Sequence, residues 1–600
     1  MKPHSPLSDR RLSLLSIVGF LSLTGALVIA HLNPATGYEL SIYRATPITF
    51  WIGIAIAFIS SLTVSFWPEN GWYRVIGTVL GGLSSVTVVS LPIIRGYYSA
   101  GIHDSVTHVG WARELVAGSM DPLDLLYPAI HTIAAFIQSL TGLTIWHSMF
   151  LVPVLIVVVF LVFTPLVVQE LLTGNLATTV GAFSAFLLIP IHLLANTITA
   201  HPSSQTILFT PVLLFLLIRF VRSTAVRRLH GIFSPVGVAL LLTVLASILY
   251  HPQQALNVLI LLTTITLVQY AVNSRGAVRW PRHRRTYSVT GVALLAYLGW
   301  IFKEPAVISI AQGGVESLLG YVTGSPPQAG SSVVTQASSL QAIGASLPII
   351  FVKLFFVSTV FVILTVIVLL AAFSDTFRQS QVRVDSTSVV RYFGIGLIAM
   401  LPVFGVYFFG NIATHYFRQA GFMLLIGTVL GAVGIAYGTQ IASNTRLKTA
   451  ARLLLIGGFG VMLLLSMMVI HDSPYINKAN QQVTEARVSG YETTFTMTNE
   501  SAVMAGVGQE PQRYYDSLVS TSDNDRRDRN VNSSEIRRLQ ELRDREWYLA
   551  MHNNTYGREV GAYEEYRFTR ADLRSVDQQV GVNRVHSNGD MDLYYVLPSV

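Results

Sequence analysis

Residues 101–131 read GIHDSVTHVGWARELVAGSMDPLDLLYPAIH, and they carry the densest set of ionisable side chains in a part of the chain otherwise nearly free of acids. Apolar runs long enough to cross a membrane lie on both sides of this stretch. Charged groups are costly near hydrocarbon, so a cluster retained there is expected to have a function. The stretch therefore predicts membrane helices on both sides and a reaction centre at one membrane surface.

The composition of the whole chain is that of a polytopic membrane protein. Of its 600 residues, 52% are hydrophobic and only 12% are charged, and the mean hydropathy is +0.53. The chain has no cysteine, which excludes disulfides, zinc–thiolate sites and thiol nucleophiles. The net charge of +8 comes from basic loop residues, so it indicates membrane topology and no nucleic-acid partner.

Apolar windows of roughly twenty residues predict membrane spans along most of the chain. There are thirteen such windows: 12–32, 48–67, 75–94, 148–168, 177–195, 205–221, 232–250, 255–272, 287–302, 346–373, 392–409, 420–439 and 453–470. The first follows a basic segment but lacks a clear cleavage site, so we expect it to be retained as a span.

The distribution of basic residues predicts the orientation of these spans. Loops on the same side as the N-terminus hold 19 Lys and Arg, whereas loops on the opposite side hold six. Cytoplasmic loops carry the excess of basic residues in membrane proteins. The N-terminus is therefore predicted to be cytoplasmic, and the C-terminal tail extracytoplasmic, in a multi-pass protein of the cell membrane.

The predicted fold is an all-α polytopic membrane protein of about 13 helices with a small C-terminal α+β domain. Within the tail we expect a helix over Ser534 to Leu549 and a hairpin across Asn588-Gly589, because that pair tolerates positive φ. The predicted parts are a two-span segment 1–74, a transmembrane domain 75–470 with an outer loop 95–146 and a lid loop 303–345, and an extracytoplasmic domain 471–600.

Two short helices are predicted in the outer loop. Apolar and polar residues alternate at helical spacing from Asp104 to Ala117, and a second apolar helix begins at Tyr127-Pro128 and ends near Gly142. Neither has room to cross the membrane and return, so both are expected to lie along the outer interface.

Histidines collect near the predicted outer ends of the spans. Two of them share a pattern, because His201-Pro202 and His251-Pro252 each precede a span, and proline is ordinary at the first position of a helix. The pattern predicts a polar outer cavity. The histidines concerned are His103, His108, His131, His147, His201, His251, His415 and His471.

Asp104 and His108 are the candidate catalytic pair. Their spacing of four places them on one helix face. A carboxylate beside a histidine can deprotonate a hydroxyl or hold a divalent cation, so a metal bound by this pair is one interpretation. A helix N-cap is the structural alternative for Asp104, because the residue precedes an amphipathic segment.

The outer loop resembles that of the GT-C glycosyltransferases. The shared features are an Asp after a span, two interface helices, the sequence Tyr127-Pro128 followed by His131, and an end at Leu140-Thr141-Gly142-Leu143. The loop is similar in particular to archaeal members that use sugars linked to polyprenyl or dolichyl phosphate. The motifs cover residues 101–143 and the His-Pro turns, and the architecture covers residues 75–470.

This resemblance implies a reaction and a set of roles. Asp104 would act as general base on the acceptor hydroxyl in an inverting transfer, and Arg418 would bind the donor phosphate. Beside these two roles, the outer position of four histidines makes them candidates for binding the substrate and the lipid phosphate: His131, His201, His251 and His415. The implied partners are a polyprenyl-phosphate-linked sugar, a glycan or protein acceptor and membrane lipid.

The chain also departs from the family pattern, and two other functions stay open. Two spans precede the one that leads into Asp104, and the Trp-Trp-Asp sequence of oligosaccharyltransferases is absent, which argues against transfer of a whole glycan to asparagine. A lipid-glycan flippase or transporter would suit the many spans, but we find neither internal repeats nor midplane charges. A noncatalytic subunit of surface-glycan assembly would not need Asp104.

Overall fold

The structure is a computed structural model of the chain. The residues it describes are 6–68, 71–191, 197–223, 231–274, 283–303, scattered positions from 305 to 323, 338–374, 376, 385–410, 415–440, 444–499, 502–508, 511–522 and 530–599. Most of the predicted lid loop 303–345 lies outside the described residues.

The described residues form a predominantly helical protein, which confirms the predicted fold class. Ten of their helices are long and apolar enough to cross a membrane: Asp9–His31, Ile48–Phe66, Gly71–Val89, Ile145–Leu171, Pro202–Arg222, Pro252–Ser274, Leu347–Phe373, Ser386–Phe409, His415–Thr439 and Thr445–Met467. Apolar side chains such as Leu21, Leu295 and Leu454 are exposed on these helices and on the shorter ones, as expected of surfaces that face lipid.

Three of the thirteen predicted spans correspond to shorter helices. These are Asn175–Phe186, Pro235–Tyr250 and Tyr287–Ile301, which contain 12, 16 and 15 residues. At about 1.5 Å per residue, each is shorter than the roughly 30 Å hydrocarbon core. The first is followed by a 3₁₀ turn at Ile189–Ile191 rather than by the continuous helix that the hydropathy predicted.

Both predicted interface helices are present, and glycine ends each of them. The helices are Asp104–Ala117 and Ala129–Thr141. Gly118 and Gly142 follow them with φ of 71° and 72°, a left-handed conformation that glycine adopts without strain. These segments and the C-terminal region lie at one end of the helix bundle, which we call the site end.

The C-terminal region contains a four-stranded sheet with the order β3-β4-β6-β5. Its strands are β3 (Met504–Gly506), β4 (Trp547–His552), β5 (Val582–Ser587) and β6 (Met591–Val596). Strands β3 and β4 are parallel, and the other pairs are antiparallel. The predicted hairpin is confirmed as β5–β6, with Gly589 at φ 90° in its turn. The main helices of this region are Glu485–Met497, Pro511–Leu518 and Arg570–Ser575.

The helix predicted from Ser534 to Leu549 is wrong. A short 3₁₀ helix occupies Leu539–Leu542, and the chain then enters β4 at Trp547. Trp547 is fully buried in the core of the sheet, so its burial outweighs the helical preference of the charged residues before it.

The C-terminal region is attached directly to the outer loop. Strand β1 (Ser99–Ala100) pairs antiparallel with β2 (Gln482–Val483), and Gly101 donates its backbone N–H to the Gln481 carbonyl at 2.9 Å. Helix Pro511–Leu518 packs on helix Asp104–Ala117. The segment that begins the candidate site is therefore held between the membrane helices and the C-terminal region.

Candidate active site

Asp104 is the first residue of its helix, and His103 occupies the N-cap position. The N-cap explanation of Asp104 is therefore not what the structure shows, although an acid in the first turn still interacts favourably with the helix dipole. His103 has φ of 56°, a conformation that is strained for a residue with a side chain. Strained backbone is concentrated at functional sites, so the conformation of His103 is consistent with a functional role for this turn.

The Asp104 carboxylate is exposed and paired with a residue from the C-terminal region. Its side chain is 68% exposed, and Oδ1 lies 2.9 Å from Nη2 of Arg513. Arg513 also donates from Nη1 to the Thr107 hydroxyl at 3.3 Å. The guanidinium thus bridges the first turn of helix Asp104–Ala117 and fixes the direction of the carboxylate.

Helices Asp104–Ala117 and Pro511–Leu518 are in close contact below this ion pair. The Thr107 hydroxyl donates to Oδ2 of Asp516 at 2.8 Å. A side chain at Gly110 would collide with the Asp516 backbone, so glycine is required where the two helices approach. On the other side, the Ser105 hydroxyl donates to the Ala200 carbonyl at 3.2 Å, next to the first His-Pro turn.

A buried aromatic and histidine cluster lies behind Asp104. His108 Nδ1 and His131 Nε2 are 3.0 Å apart, so the two interface helices are joined by a hydrogen bond between their rings. Trp111 and Tyr127 pack on His108 with ring centroids at 5.2 and 5.7 Å. The Tyr127 ring stacks on His251 at 5.8 Å, which connects the cluster to the second His-Pro turn.

The histidines of this cluster are held in the neutral form. Burial lowers the pKa of His131 to about 3, and burial followed by the positive charge of Arg418 lowers the pKa of His201 to about 3. Burial is also the largest cause of the lowered pKa of His108 and of His251. At neutral pH these rings can donate or accept hydrogen bonds, but they carry no charge.

The two His-Pro turns begin helices as the sequence predicted, and they meet at the site. His201 caps helix Pro202–Arg222, accepting the backbone N–H of Ser204 at Nδ1. Gln254, after the second turn, donates to the Ser203 hydroxyl at 2.9 Å and to the Arg418 carbonyl at 3.4 Å. A side-chain amide therefore ties both turns to the start of helix His415–Gln440.

The guanidinium of Arg418 lies close enough to His201 and His251 to affect both rings. Its Nε is buried without a hydrogen-bond partner, and within the described part of the chain no carboxylate lies within 4.0 Å of it. The negative charge of the Asp104 carboxylate acts on it. His251 Nδ1 is likewise buried and unpartnered among the described residues. A part-buried guanidinium without a carboxylate partner among the described residues, together with an unused ring nitrogen near it, is a suitable site for an anion.

The structure brings together most of the residues selected from the sequence. The Arg418 charge acts on both His201 and His251, and the His108 ring is hydrogen bonded to that of His131. His415 contributes its carbonyl to Gln253 at 3.0 Å. Asp104 and His108 have different partners, Arg513 and His131, and the described residues include no group of three or more acidic or histidine side chains placed to hold a metal ion.

Two residues of the site were missed from the sequence. Arg513 lies more than 400 positions from Asp104, and nothing near it in the sequence connects the two. Tyr127 was used as a helix start and as part of the family motif but was given no role in the site, yet it contacts His108 and His251. The aromatic ring among so many histidines was the available signal. Asp121 and Asp124 lie apart, and Asp121 caps a short 3₁₀ helix, as expected of turn residues.

Comparisons with known proteins give matches only among solved structures. No protein-family model matches the chain, and no curated protein matches its sequence. The chain is similar to ArnT from Cupriavidus metallidurans in the apo state, with 13% identity, coverage of 87% of this chain and 97% of that one, and a TM-score of 0.45.

Two further matches are named as glycosyltransferases. The Archaeoglobus fulgidus oligosaccharyltransferase bound to an acceptor peptide has 11% identity, coverage of 88% and 74%, and a TM-score of 0.48. The arabinofuranosyltransferase AftD from Mycobacteria has 10% identity, coverage of 87% and 40%, and a TM-score of 0.43.

Proposed function

We propose that this protein is a membrane glycosyltransferase that moves a sugar from a polyprenyl-phosphate-linked donor to a hydroxyl acceptor with inversion. The observation that carries the proposal is the pairing of groups at the site end. An exposed carboxylate, Asp104, and a part-buried guanidinium without a carboxylate partner among the described residues, Arg418, interact electrostatically, and the buried neutral rings of His201 and His251 lie near the guanidinium.

Each group supplies what a single displacement needs. Asp104 accepts the proton of the acceptor hydroxyl as its oxygen attacks the anomeric carbon. The bond between that carbon and the phosphate oxygen breaks, and its electron pair leaves with the polyprenyl phosphate. Arg418 neutralises the departing anion, for which a guanidinium is well suited. Attack from the side opposite the phosphate inverts the anomeric configuration.

The neutral histidines fit the same reaction. His251 has an unpartnered Nδ1 beside Arg418, so it can donate a hydrogen bond to a phosphate oxygen without an added charge. His131 and His108 are hydrogen bonded to each other, and they hold the two interface helices in register. Arg513 directs the Asp104 carboxylate, which makes it a positioning residue.

The location of the site supports a lipid-linked donor. Arg418 is in the first turn of an apolar helix long enough to span a membrane, so its guanidinium lies at the depth of lipid head groups. A polyprenyl chain could then remain in the membrane while its phosphate reaches Arg418. We propose that the site end faces the outside of the cell, as the basic residues predicted.

The test is the substitution Asp104→Asn with Asp121→Asn as the matched control. Purified protein is incubated with a panel of polyprenyl-phosphate hexoses and pentoses and a glycan extract of membranes, and release of polyprenyl phosphate is measured. Loss of the general base is expected to lower turnover by about 10²–10⁴-fold. Asp121 is an exposed capping residue, and its amide variant should keep wild-type turnover. Unchanged turnover in the Asp104 variant would refute its role as general base, and absence of turnover in the purified wild-type protein would favour a noncatalytic subunit.

A further inference from the structure

A polar cleft lies beside His103, the residue that precedes Asp104. It has a volume of about 860 Å³, and Ile102 and His103 form part of its wall. The rest of the wall comes from the loop around Tyr38, the segment 478–481 and the C-terminal region. The cleft is thus adjacent to the candidate active site, and no role above uses it.

Two buried polar side chains in this cleft lack partners. Arg558 is 5% exposed and Asn554 is 3% exposed, and both line the cleft. Within the described residues, Nη2 of Arg558 and Oδ1 of Asn554 have no hydrogen-bond partner. Buried polar groups are satisfied in most proteins, so this pair is suited to a ligand that accepts a hydrogen bond from one and donates to the other.

The wall of the cleft has an excess of positive charge. Arg558 and Arg567 share a single carboxylate, Glu559, with Nε of Arg558 at 3.0 Å and Nη2 of Arg567 at 2.5 Å. The other two charged groups, Lys478 and Asp472, are paired with each other at 3.4 Å. One guanidinium charge therefore remains for an anionic ligand group.

A glycine in the cleft wall, Gly508, leaves space for the guanidinium of Arg558. Gly508 has φ of 65°, and a side chain there would collide with Nη2 of Arg558. Glycine at this position leaves the guanidinium room at the cleft wall. The cation is thus accommodated by its surroundings.

Aromatic rings and amides complete the wall. Tyr563 and Tyr566 line the cleft, and Tyr566 is 50% exposed, which leaves a ring face open to a flat apolar surface. Asn532, Ser533 and Ser534 add short hydrogen-bonding groups. Amides can form hydrogen bonds with the hydroxyls of a sugar, and a tyrosine ring can stack on the apolar face of the sugar ring.

We infer that this cleft binds the acceptor as an anionic saccharide, with its acidic group on Arg558, a hydroxyl on Asn554 and a sugar face on Tyr566. His103 forms part of the cleft wall, has a φ of 56° and is followed directly by Asp104. A saccharide bound in the cleft therefore has one end close to the proposed base. The inference rests on the proposed function for its meaning, but the binding itself does not depend on catalysis.

The test measures binding to the full-length Asp104→Asn variant, so that transfer plays no part. The probes are tetragalacturonate, the neutral cellotetraose and inorganic phosphate, each titrated by calorimetry. We expect tetragalacturonate to bind at least tenfold more tightly than cellotetraose. Arg558→Gln should weaken the binding of tetragalacturonate at least tenfold, and Tyr566→Ala should weaken it several-fold. Arg574→Gln, at an exposed arginine outside the cleft, should bind as its parent does.

Each other outcome overturns the inference. Equal affinity for the acidic and neutral probes removes the role of the charge, and absence of binding removes the site. Phosphate binding that depends on Arg558, without saccharide binding, reassigns the cleft to a free anion. If Arg558→Gln fails to fold, the exposed Tyr566→Ala variant decides, and unchanged affinity there refutes the proposal. Transfer by wild-type protein is scored separately, so a failed cleft leaves the Asp104 test standing.

Discussion

The buried histidines predict a specific loss of stability in acid. His131 and His201 have their pKa lowered to about 3 in the folded protein by burial, whereas an unfolded chain titrates near 6.5. Between these values the unfolded chain binds more protons than the folded one. The contribution of these histidines to the free energy of unfolding is therefore fully present above about pH 6.5 and is lost as the pH falls toward 3.

The size of the effect follows from the same two values. At pH 5 each histidine costs about 2 kcal/mol of unfolding free energy, because protonation favours the unfolded chain by roughly 1.4 kcal/mol per pH unit below 6.5. His131 and His201 together therefore cost about 4 kcal/mol at pH 5. This is a large part of the typical stability of a folded protein.

The assay is denaturant unfolding of the detergent-solubilised protein at pH 7.5 and pH 5. His131→Gln keeps an amide near the ring nitrogen that meets His108 and removes one titrating group. The variant should lose about 2 kcal/mol less than wild type on acidification. His31→Gln, at an exposed histidine, is the control and should lose as much as wild type. An equal loss in wild type and His131→Gln would refute the assignment of His131 as a buried neutral group.

Two further predictions concern the arginines of the site. Arg418→Gln should lower kcat/KM by about 30- to 1000-fold, since it removes a charge-assisted contact worth about 2–4 kcal/mol, and Arg418→Lys should recover part of the loss. Arg44→Gln, at an exposed arginine, is the control and should have no effect. A kcat/KM of Arg418→Gln equal to that of the wild type would contradict the phosphate role. Arg513→Ala breaks a pair that is partly exposed on both sides, so unfolding free energy should change by less than about 1 kcal/mol. Turnover should nevertheless fall with KM for the donor unchanged, and a variant that loses only stability would show that Arg513 does not position Asp104.

The membrane architecture was predictable because hydropathy is a local property. The windows 12–32 and 346–373 correspond closely to helices Asp9–His31 and Leu347–Phe373. The interface helices were also predictable, since Gly118 and Gly142 mark their ends. The windows with short helices were overestimated because apolar composition does not report where a buried helix ends.

The site was predictable only in part, because its groups come from distant positions. The His-Pro turns indicated His201 and His251, and the structure places both near Arg418. Arg513 could not be found, because the contact with Asp104 depends on how the C-terminal region docks on the outer loop. Arg558 was hidden for the same reason, since only the folded chain shows that one of its nitrogens lacks a partner.

In the proposed reaction Arg418 binds the phosphate of the lipid-linked donor, and Asp104 faces the acceptor on the opposite side of the transferred sugar. The most direct measurement is a cryo-EM structure of the protein in nanodiscs with added polyprenyl phosphate. We predict phosphate density within about 3 Å of the Arg418 guanidinium, with the Asp104 carboxylate on the same side of the protein and the lipid chain along helix His415–Gln440. Phosphate bound elsewhere, with Arg418 and Asp104 opening onto separate surfaces, would contradict the account.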